Sequence, residues 1–258
     1  MEYIEKIDNL CNILGAMVSA GMAIESKNVE STFIAGSSAP AISIGLKKVI
    51  CGIFNNNSSE REFKRLGAFA ESAKETFDKN IKQGRTVENY LFINSSNNKK
   101  GYVFEEVLEN LLKTVKDDTI TLKSKIYGRF LGNIPFRNDL DSSNIIFLKE
   151  MINSLSFTEL CILEVLSRKT YKNLQRLQTA INRENKPILF EFYNGIIKLK
   201  NNSLLVPAPP YSVGSEIGNV KSSKMGELIC DVAELHLIDR EWLNVTENLF
   251  DYINNYVV

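Results

Sequence analysis

The sequence predicts a mainly α-helical protein with a small β element in its C-terminal part. Apolar residues recur at helical spacing along most of the chain, which is the pattern of helices that bury one face. Two Ser-x-x-Glu capping boxes, Ser59 with Glu62 and Ser156 with Glu159, mark two helix starts. A short apolar run at residues 204–206, followed by the Pro-rich segment 207–210, interrupts the helical pattern and predicts a strand with a loop after it.

The N-terminal segment, residues 1–57, is rich in small residues, and we expect it to be helical. Residues 9–24 and 31–46 contain no charged side chain. Each run is shorter than the ~20 apolar residues that a membrane-spanning helix needs. The pattern favours two helices that pack closely through small residues, or an assembly surface. The alternative is a hairpin within residues 9–54 that contacts or inserts into a membrane under some conditions.

Residues 58–153 predict a helical domain. Its first helix begins at the capping box of Ser59, and its apolar stripe includes Leu66, Ala73 and Phe77. Gly84 is a natural C-terminal stop for this helix. A polar loop at 94–101 precedes three more helices, the second of which Pro135 ends.

Residues 154–258 have the order of a winged-helix-like module followed by a C-terminal helix. A helix begins at Ser156, a second is expected from about 170 to 182, and Pro187 suits the first position of a third. A strand at 204–206 and a returning strand at 217–220 would form the small β wing. We expect the Pro-rich segment to stay outside the sheet, because proline lacks the N–H that a strand ladder uses.

A winged-helix-like order raises the hypothesis of nucleic-acid binding, with the third helix in the major groove. Charge argues against it, because residues 155–258 contain slightly more acidic than basic side chains. The predicted third helix offers aromatic residues where base-reading groups would stand, namely Phe190, Phe192 and Tyr193. These three form a candidate protein interface. One basic cluster is a candidate surface for phosphate or an acidic partner, although a solvated helix face is the simpler interpretation: Arg168, Lys169, Lys172, Arg176, Arg183 and Lys186.

No pattern of catalytic or cofactor-binding residues stands out. His236 is the single histidine, and its place at the end of a predicted helix suits a structural role. The chain has no glycine-rich phosphate-binding motif. Its four cysteines are too widely spaced to predict a zinc site or a disulfide framework, and they fit a reducing cytoplasm: Cys11, Cys51, Cys161 and Cys230. We therefore expect a cytoplasmic protein without enzymatic activity, cofactor or metal.

The order of several short motifs resembles a family of bacterial helical proteins. The motifs, which span about residues 58–237, are Ser-Glu-Arg-Glu at 59–62, Glu-Glu-Val-Leu-Glu at 105–109, the stretch 125–133, the stretch 155–163 and Ser-x-x-Gly-x-Leu at 223–228. In this layout the chain is similar to the abortive-infection alpha proteins that are associated with phage resistance. The resemblance implies a role in phage defence and carries over no catalytic residue.

The leading hypothesis from the sequence is therefore an interaction or assembly protein with a protein partner or a second copy of itself. The aromatic third helix and the small-residue N-terminus would supply the contacts. Two alternatives stay open: a membrane-perturbing effector that uses residues 9–54, and a nucleic-acid-binding regulator that uses the basic cluster.

Overall fold

The computed structural model describes residues 50–54, 58–89, 101–168, 172–209 and 218–255. The chain divides into two compact units, Met1–Asn153 and Ser154–Val258, here called the N-terminal and C-terminal units. Both are built mainly of helices, so the predicted helical class is confirmed. The predictions for residues 1–49 and 55–57, and for the polar loop up to residue 100, lie outside the described residues. Among the helices of the described ranges, none combines the length and the apolar character needed to cross a membrane.

The N-terminal unit is helical throughout its described part. Its elements are α1 (Glu60–Lys82), α2 (Gly101–Asp117), α3 (Thr121–Asn133), a 3-10 turn (Ile134–Phe136) and α4 (Ser142–Ser154). The predicted capping box at the start of α1 is confirmed, because the Glu62 N–H donates to Ser59 Oγ at 3.3 Å and the Ser59 N–H donates to the Glu62 carboxylate. The predicted stop is also present: Gly84, two residues after α1, has a φ of 76°.

The closest helix contact in this unit is between α1 and α3, and two glycines make it possible. A Cβ atom added at Gly128 would lie 2.3 Å from the carbonyl oxygen of Phe69, and one at Gly132 would lie 2.6 Å from that of Ala73. These distances are far below van der Waals contact, so only glycine fits at either position. Gly128 and Gly132 are four residues apart and lie on one face of α3. That face rests directly on the backbone of α1.

Buried polar side chains join other segments of this unit. Arg65, which is buried, donates from Nε to the carbonyl oxygen of Val115 at 3.0 Å and also reaches the carbonyl of Lys116. Its guanidinium thus satisfies free carbonyls at the end of α2, where a cation also suits the helix dipole. Asn89 is fully buried, and its Nδ2 donates to the carbonyl oxygens of Arg137 at 2.8 Å and Leu140 at 2.9 Å.

The C-terminal unit combines helices with one small sheet. Its elements are α5 (Phe157–Arg168), β1 (Lys172–Asn173), α6 (Gln175–Glu184), α7 (Pro187–Asn201), β2 (Leu205–Pro207), β3 (Asn219–Ser222), α8 (Lys224–Val232), a 3-10 turn (Leu235–Leu237) and α9 (Arg240–Asn255). The capping box at the start of α5 is confirmed, with Ser156 N–H donating to Glu159 Oε2 at 2.7 Å and Glu159 N–H donating to Ser156 Oγ at 3.2 Å. The predicted start of α7 at Pro187 is confirmed as well.

The three strands form an antiparallel sheet in the order β1-β3-β2. Two details of the prediction were wrong. The second helix begins at Gln175 instead of about 170, because Lys172 and Asn173 pair with β3 as a strand. Pro207 does join the sheet, opposite Val220. It can do so because β2 is an edge strand, where a missing N–H leaves no ladder bond unmade.

A glycine lets α8 approach this sheet. Ser223 caps α8, with its Oγ accepting from the Gly226 N–H at 3.0 Å. A Cβ at Gly226 would lie 2.5 Å from the carbonyl oxygen of Leu204 and 2.5 Å from Ser222 Oγ. The Ser-x-x-Gly sequence is thus both a helix cap and a close contact between helix and sheet.

Candidate functional site

Helix α7 lies against α5 with one face and exposes the other. Gly195 permits the close approach, since a Cβ there would lie 3.1 Å from Ile162 Cδ1. Lys198 Nζ fixes the contact by donating to Glu159 Oε2 at 2.9 Å and to the Ser154 carbonyl at 2.6 Å. Near the start of the helix, Ile188 and Phe190 are 45% and 42% exposed.

The predicted interface triad on α7 is divided by the fold. Phe190 is exposed and Tyr193 is half-buried. Phe192 is only 1% exposed and packs edge-on against Phe250 of α9, with 4.8 Å between ring centroids. Assigning Phe192 to a partner surface was wrong, because its ring belongs to the core of the C-terminal unit. The exposed apolar pair is Ile188 and Phe190, and we call it the α7 surface.

The predicted basic cluster does not form one continuous free surface in the described residues. Arg168 Nε donates to Glu164 Oε1 at 2.6 Å, and its NH2 group reaches the His236 carbonyl at 3.3 Å. The Glu164 side chain is 4% exposed, so Arg168 is the counter-ion of a buried carboxylate. Arg168 therefore stabilises the fold of the C-terminal unit.

Two other basic residues contact the C-terminal end of α9. Arg176 NH1 donates to the Asn254 carbonyl oxygen at 3.1 Å. Lys186 Nζ pairs with Glu184 Oε2 at 2.6 Å and lies 5.5 Å from the centre of the Tyr252 ring. Arg183 is exposed. Lys169 and the side chain of Lys172 lie outside the described residues.

A second exposed apolar surface lies on α9. The sequence predicts one apolar stripe on this helix, made of Trp242, Val245, Leu249, Tyr252, Ile253 and Tyr256. In the structure only Ile253 of this stripe lies on the buried face, which it forms together with Leu243, Thr246 and Phe250. Tyr256 lies outside the described residues. Trp242, Val245 and Tyr252 are 48%, 46% and 39% exposed, and Leu249 is half-buried. We call these four residues the outer stripe of α9.

Polar and titratable side chains from α5, α8 and the following 3-10 turn line an open depression of about 300 Å³: Glu164, Ser167, Glu227, Cys230, Asp231 and His236. Within the described ranges, no group of three or more His, Cys, Asp or Glu side chains is arranged to hold a metal ion.

Burial, together with the negative charge of Glu164, raises the pKa of the Cys230 thiol and raises that of Cys161 to about 12. Both thiols are therefore held in the protonated form, which is a poor nucleophile.

This protonation state predicts slow alkylation of two cysteines in the native protein. We expect iodoacetamide at mildly alkaline pH to modify Cys51, which is half-buried, well before Cys161 or Cys230. Peptide mapping by mass spectrometry would give the rate at each position, and the same reaction in urea would show that all sites react once unfolded. Fast modification of Cys230 in the native protein would contradict the protection described above.

Comparison of the chain with models of protein families, with curated proteins and with solved structures finds no match in any of the three. Function is therefore inferred from the contacts and exposed surfaces of the chain's own residues.

Proposed function

We propose that this protein acts by binding a protein partner through the α7 surface, which is carried by a winged-helix-like module. The observation that carries the proposal is the exposure of Ile188 and Phe190 at the start of α7. Exposed aromatic and aliphatic side chains on a rigid element are typical anchors of protein interfaces.

The order of elements supports the assignment of the module. Helix α5 is followed by β1, then by α6 and α7, and then by the hairpin-like pair β2 and β3. Strand β3 lies between β1 and β2, so the first strand joins the sheet formed by the last two. In a DNA-binding module of the helix-turn-helix type, the second helix of the motif lies in the major groove, and here the equivalent helix is α7.

The chemistry of α7 favours a protein partner over nucleic acid. Nucleic-acid binding relies on Lys and Arg side chains that neutralise phosphates. Beside Ile188 and Phe190, the exposed part of α7 presents Glu191, which accepts a hydrogen bond from Thr158 Oγ1 at 2.9 Å. A carboxylate there would repel a phosphate backbone, whereas it can border an apolar protein contact. Arg168, Arg176 and Lys186 are engaged within the C-terminal unit.

We extend the proposal to a role in bacterial phage defence, which the resemblance to the abortive-infection alpha proteins implies. In this role the protein is a non-enzymatic component that recognises or recruits another protein. The buried, protonated thiols of Cys161 and Cys230 are consistent with binding instead of nucleophilic chemistry.

The test is a pair of charge substitutions on the α7 surface, Ile188→Glu and Phe190→Glu. We expect the wild-type gene to lower phage plaque counts in a bacterial host and each variant to lose at least about tenfold of that protection, because a buried charge in an interface costs several kcal/mol. A photo-crosslinker at position 190 should capture the partner in infected cells, and the Ile188→Glu change should abolish the crosslink. Ile81→Glu is the matched control, since Ile81 is comparably exposed but lies on α1.

Two results would contradict the proposal. One is full protection by both variants. The other is binding of random-sequence duplex DNA that weakens steeply with salt and is lost on replacing Arg183 by Glu, which would favour the nucleic-acid alternative.

A further inference from the structure

We propose that the outer stripe of α9 joins two copies of this chain through an antiparallel, two-fold symmetric helix pair. The stripe residues are separated by three, four and three positions along α9: Trp242, Val245, Leu249 and Tyr252. This alternation is the spacing by which a helix presents a seam to another helix. The proposal does not depend on the α7 surface.

Most of the packing of α9 within its own unit comes from residues outside the stripe. Leu243, Thr246, Phe250 and Ile253 already form the buried face of the helix. At 100° per residue, the two sets point in directions that differ by about 100°. Helix α9 therefore has one apolar face that is covered by its own unit and a second, adjacent one that is exposed.

Contacts at both ends hold the stripe in place. Trp242 packs edge-on against Phe157, with 5.6 Å between ring centroids. At the other end, the Tyr252 hydroxyl donates to the Glu184 carboxylate, and Lys186 lies over the ring. The two large side chains are thus ordered before binding, which lowers the conformational entropy lost in an interface.

The symmetry of the stripe indicates a second copy as the occupant. The spacing reads the same in both directions about its middle, near Glu247. In an antiparallel pair, Trp242 would lie opposite Tyr252 of the second copy, and Val245 opposite Leu249. Each layer would then contain one residue from either half of the stripe, as an isologous two-fold interface requires.

Charge is compatible with this pairing. The exposed flank of the stripe carries Glu241, Asn248 and Asn255. An antiparallel pair sets Asn248 opposite its own copy and Glu241 opposite Asn255, so like charges do not face each other. An antiparallel pair places the positive end of one helix dipole beside the negative end of the other, which is favourable. A parallel pair would place like ends together. The formal net charge of the chain is zero, so no long-range repulsion separates two copies.

The size of the surface predicts a weak dimer. Helix α9 has 16 residues. At 1.5 Å per residue it is ~24 Å long, and four partly exposed side chains cover less than the ~800 Å² per partner of a stable interface. We therefore expect an equilibrium between monomer and dimer that shifts with protein concentration.

Sedimentation velocity over a concentration series tests the proposal. We expect the wild-type protein to move from monomer to dimer as its concentration rises, and Val245→Glu to remain monomeric throughout the series. Asn244→Glu adds the same side chain at the neighbouring exposed position, which points away from the stripe, and should dimerise like the wild type. Equal thermal midpoints for the two variants would show that Val245→Glu acts on association and not on folding.

A disulfide trap tests the antiparallel arrangement. The Asn248→Cys variant should give a covalent dimer on mild oxidation, because two copies of position 248 meet near the two-fold axis. Asn244→Cys should give no more covalent dimer than the wild-type protein. A monomer at all concentrations, a dimer that Val245→Glu does not weaken, or no trapping at position 248 would each overturn the proposal. Ile188→Glu and Phe190→Glu should leave the dimer intact, which separates this interface from the α7 surface.

Discussion

Replacing Gly128 by Ala is expected to lower the free energy of unfolding of the N-terminal unit by about 3 kcal/mol, at the upper end of the usual cost of overpacking. The new Cβ would lie 2.3 Å from the Phe69 carbonyl oxygen, 2.9 Å from Ser72 Cβ and 3.0 Å from the Ala73 nitrogen. Two of these are backbone atoms of α1, so no side-chain rotation can relieve the overlap. Helices α1 and α3 would have to move apart, and the side chains between them would lose their packing.

Denaturant-induced unfolding followed by circular dichroism measures this effect, with Gly67→Ala as the matched control. Gly67 also lies within a helix, but a Cβ there would meet nothing within 4 Å. Alanine in an open helix interior is more favourable than glycine by up to about 1 kcal/mol, so the control should be slightly stabilised. If the unfolding midpoint of Gly128→Ala lay at or above the denaturant concentration of the wild-type midpoint, α1 and α3 could not be as close as described.

The local signals in the sequence predicted most of the helices. The capping boxes at Ser59 and Ser156, the stop at Gly84 and the start at Pro187 all lie where expected, because each depends on residues only a few positions apart. The strand β1 was missed for the opposite reason. It has two residues, and its pairing with β3 comes from a segment more than forty positions away.

The candidate surfaces could be predicted only in part. Periodicity correctly marks α9 as amphipathic, but two apolar stripes overlap on that helix, and only tertiary packing decides which one is buried. Likewise, Phe190 and Phe192 are the same residue type, and the sequence does not show which of them is buried. Phe192 is buried because it packs against Phe250. A single sequence also does not reveal that the backbone of α1 lies against the glycines of α3.

Charge patterns were the least reliable guide to function, and Arg168 shows why. A basic side chain at the end of a helix looks like a free cation when only the sequence is considered. Its partner Glu164 is four residues earlier, a spacing that permits an ion pair, but the sequence does not reveal that Glu164 is buried. Because Glu164 is buried, its ion pair with Arg168 is required for stability, unlike an ion pair on the surface.

Arg168→Ala is therefore expected to act on folding before it acts on any ligand. Removing one partner of a buried ion pair typically costs 3–5 kcal/mol, and we expect about 2–3 kcal/mol here because the Arg168 side chain itself is partly exposed. The C-terminal unit should unfold at a lower denaturant concentration, while Arg183→Ala, at an exposed position, should change the free energy of unfolding by less than about 0.5 kcal/mol.

The double substitution Arg168→Ala with Glu164→Gln tests whether an unpaired buried charge causes the loss of stability. The neutral amide leaves no uncompensated charge in the interior, so the double variant should be more stable than Arg168→Ala alone, and the non-additivity measures the coupling between the two side chains. If Arg168→Ala left stability unchanged and altered only the binding of an acidic or phosphate-bearing ligand, the guanidinium would be a recognition group instead. The geometry argues otherwise, because Arg168 Nε lies 2.6 Å from a carboxylate that has almost no contact with solvent.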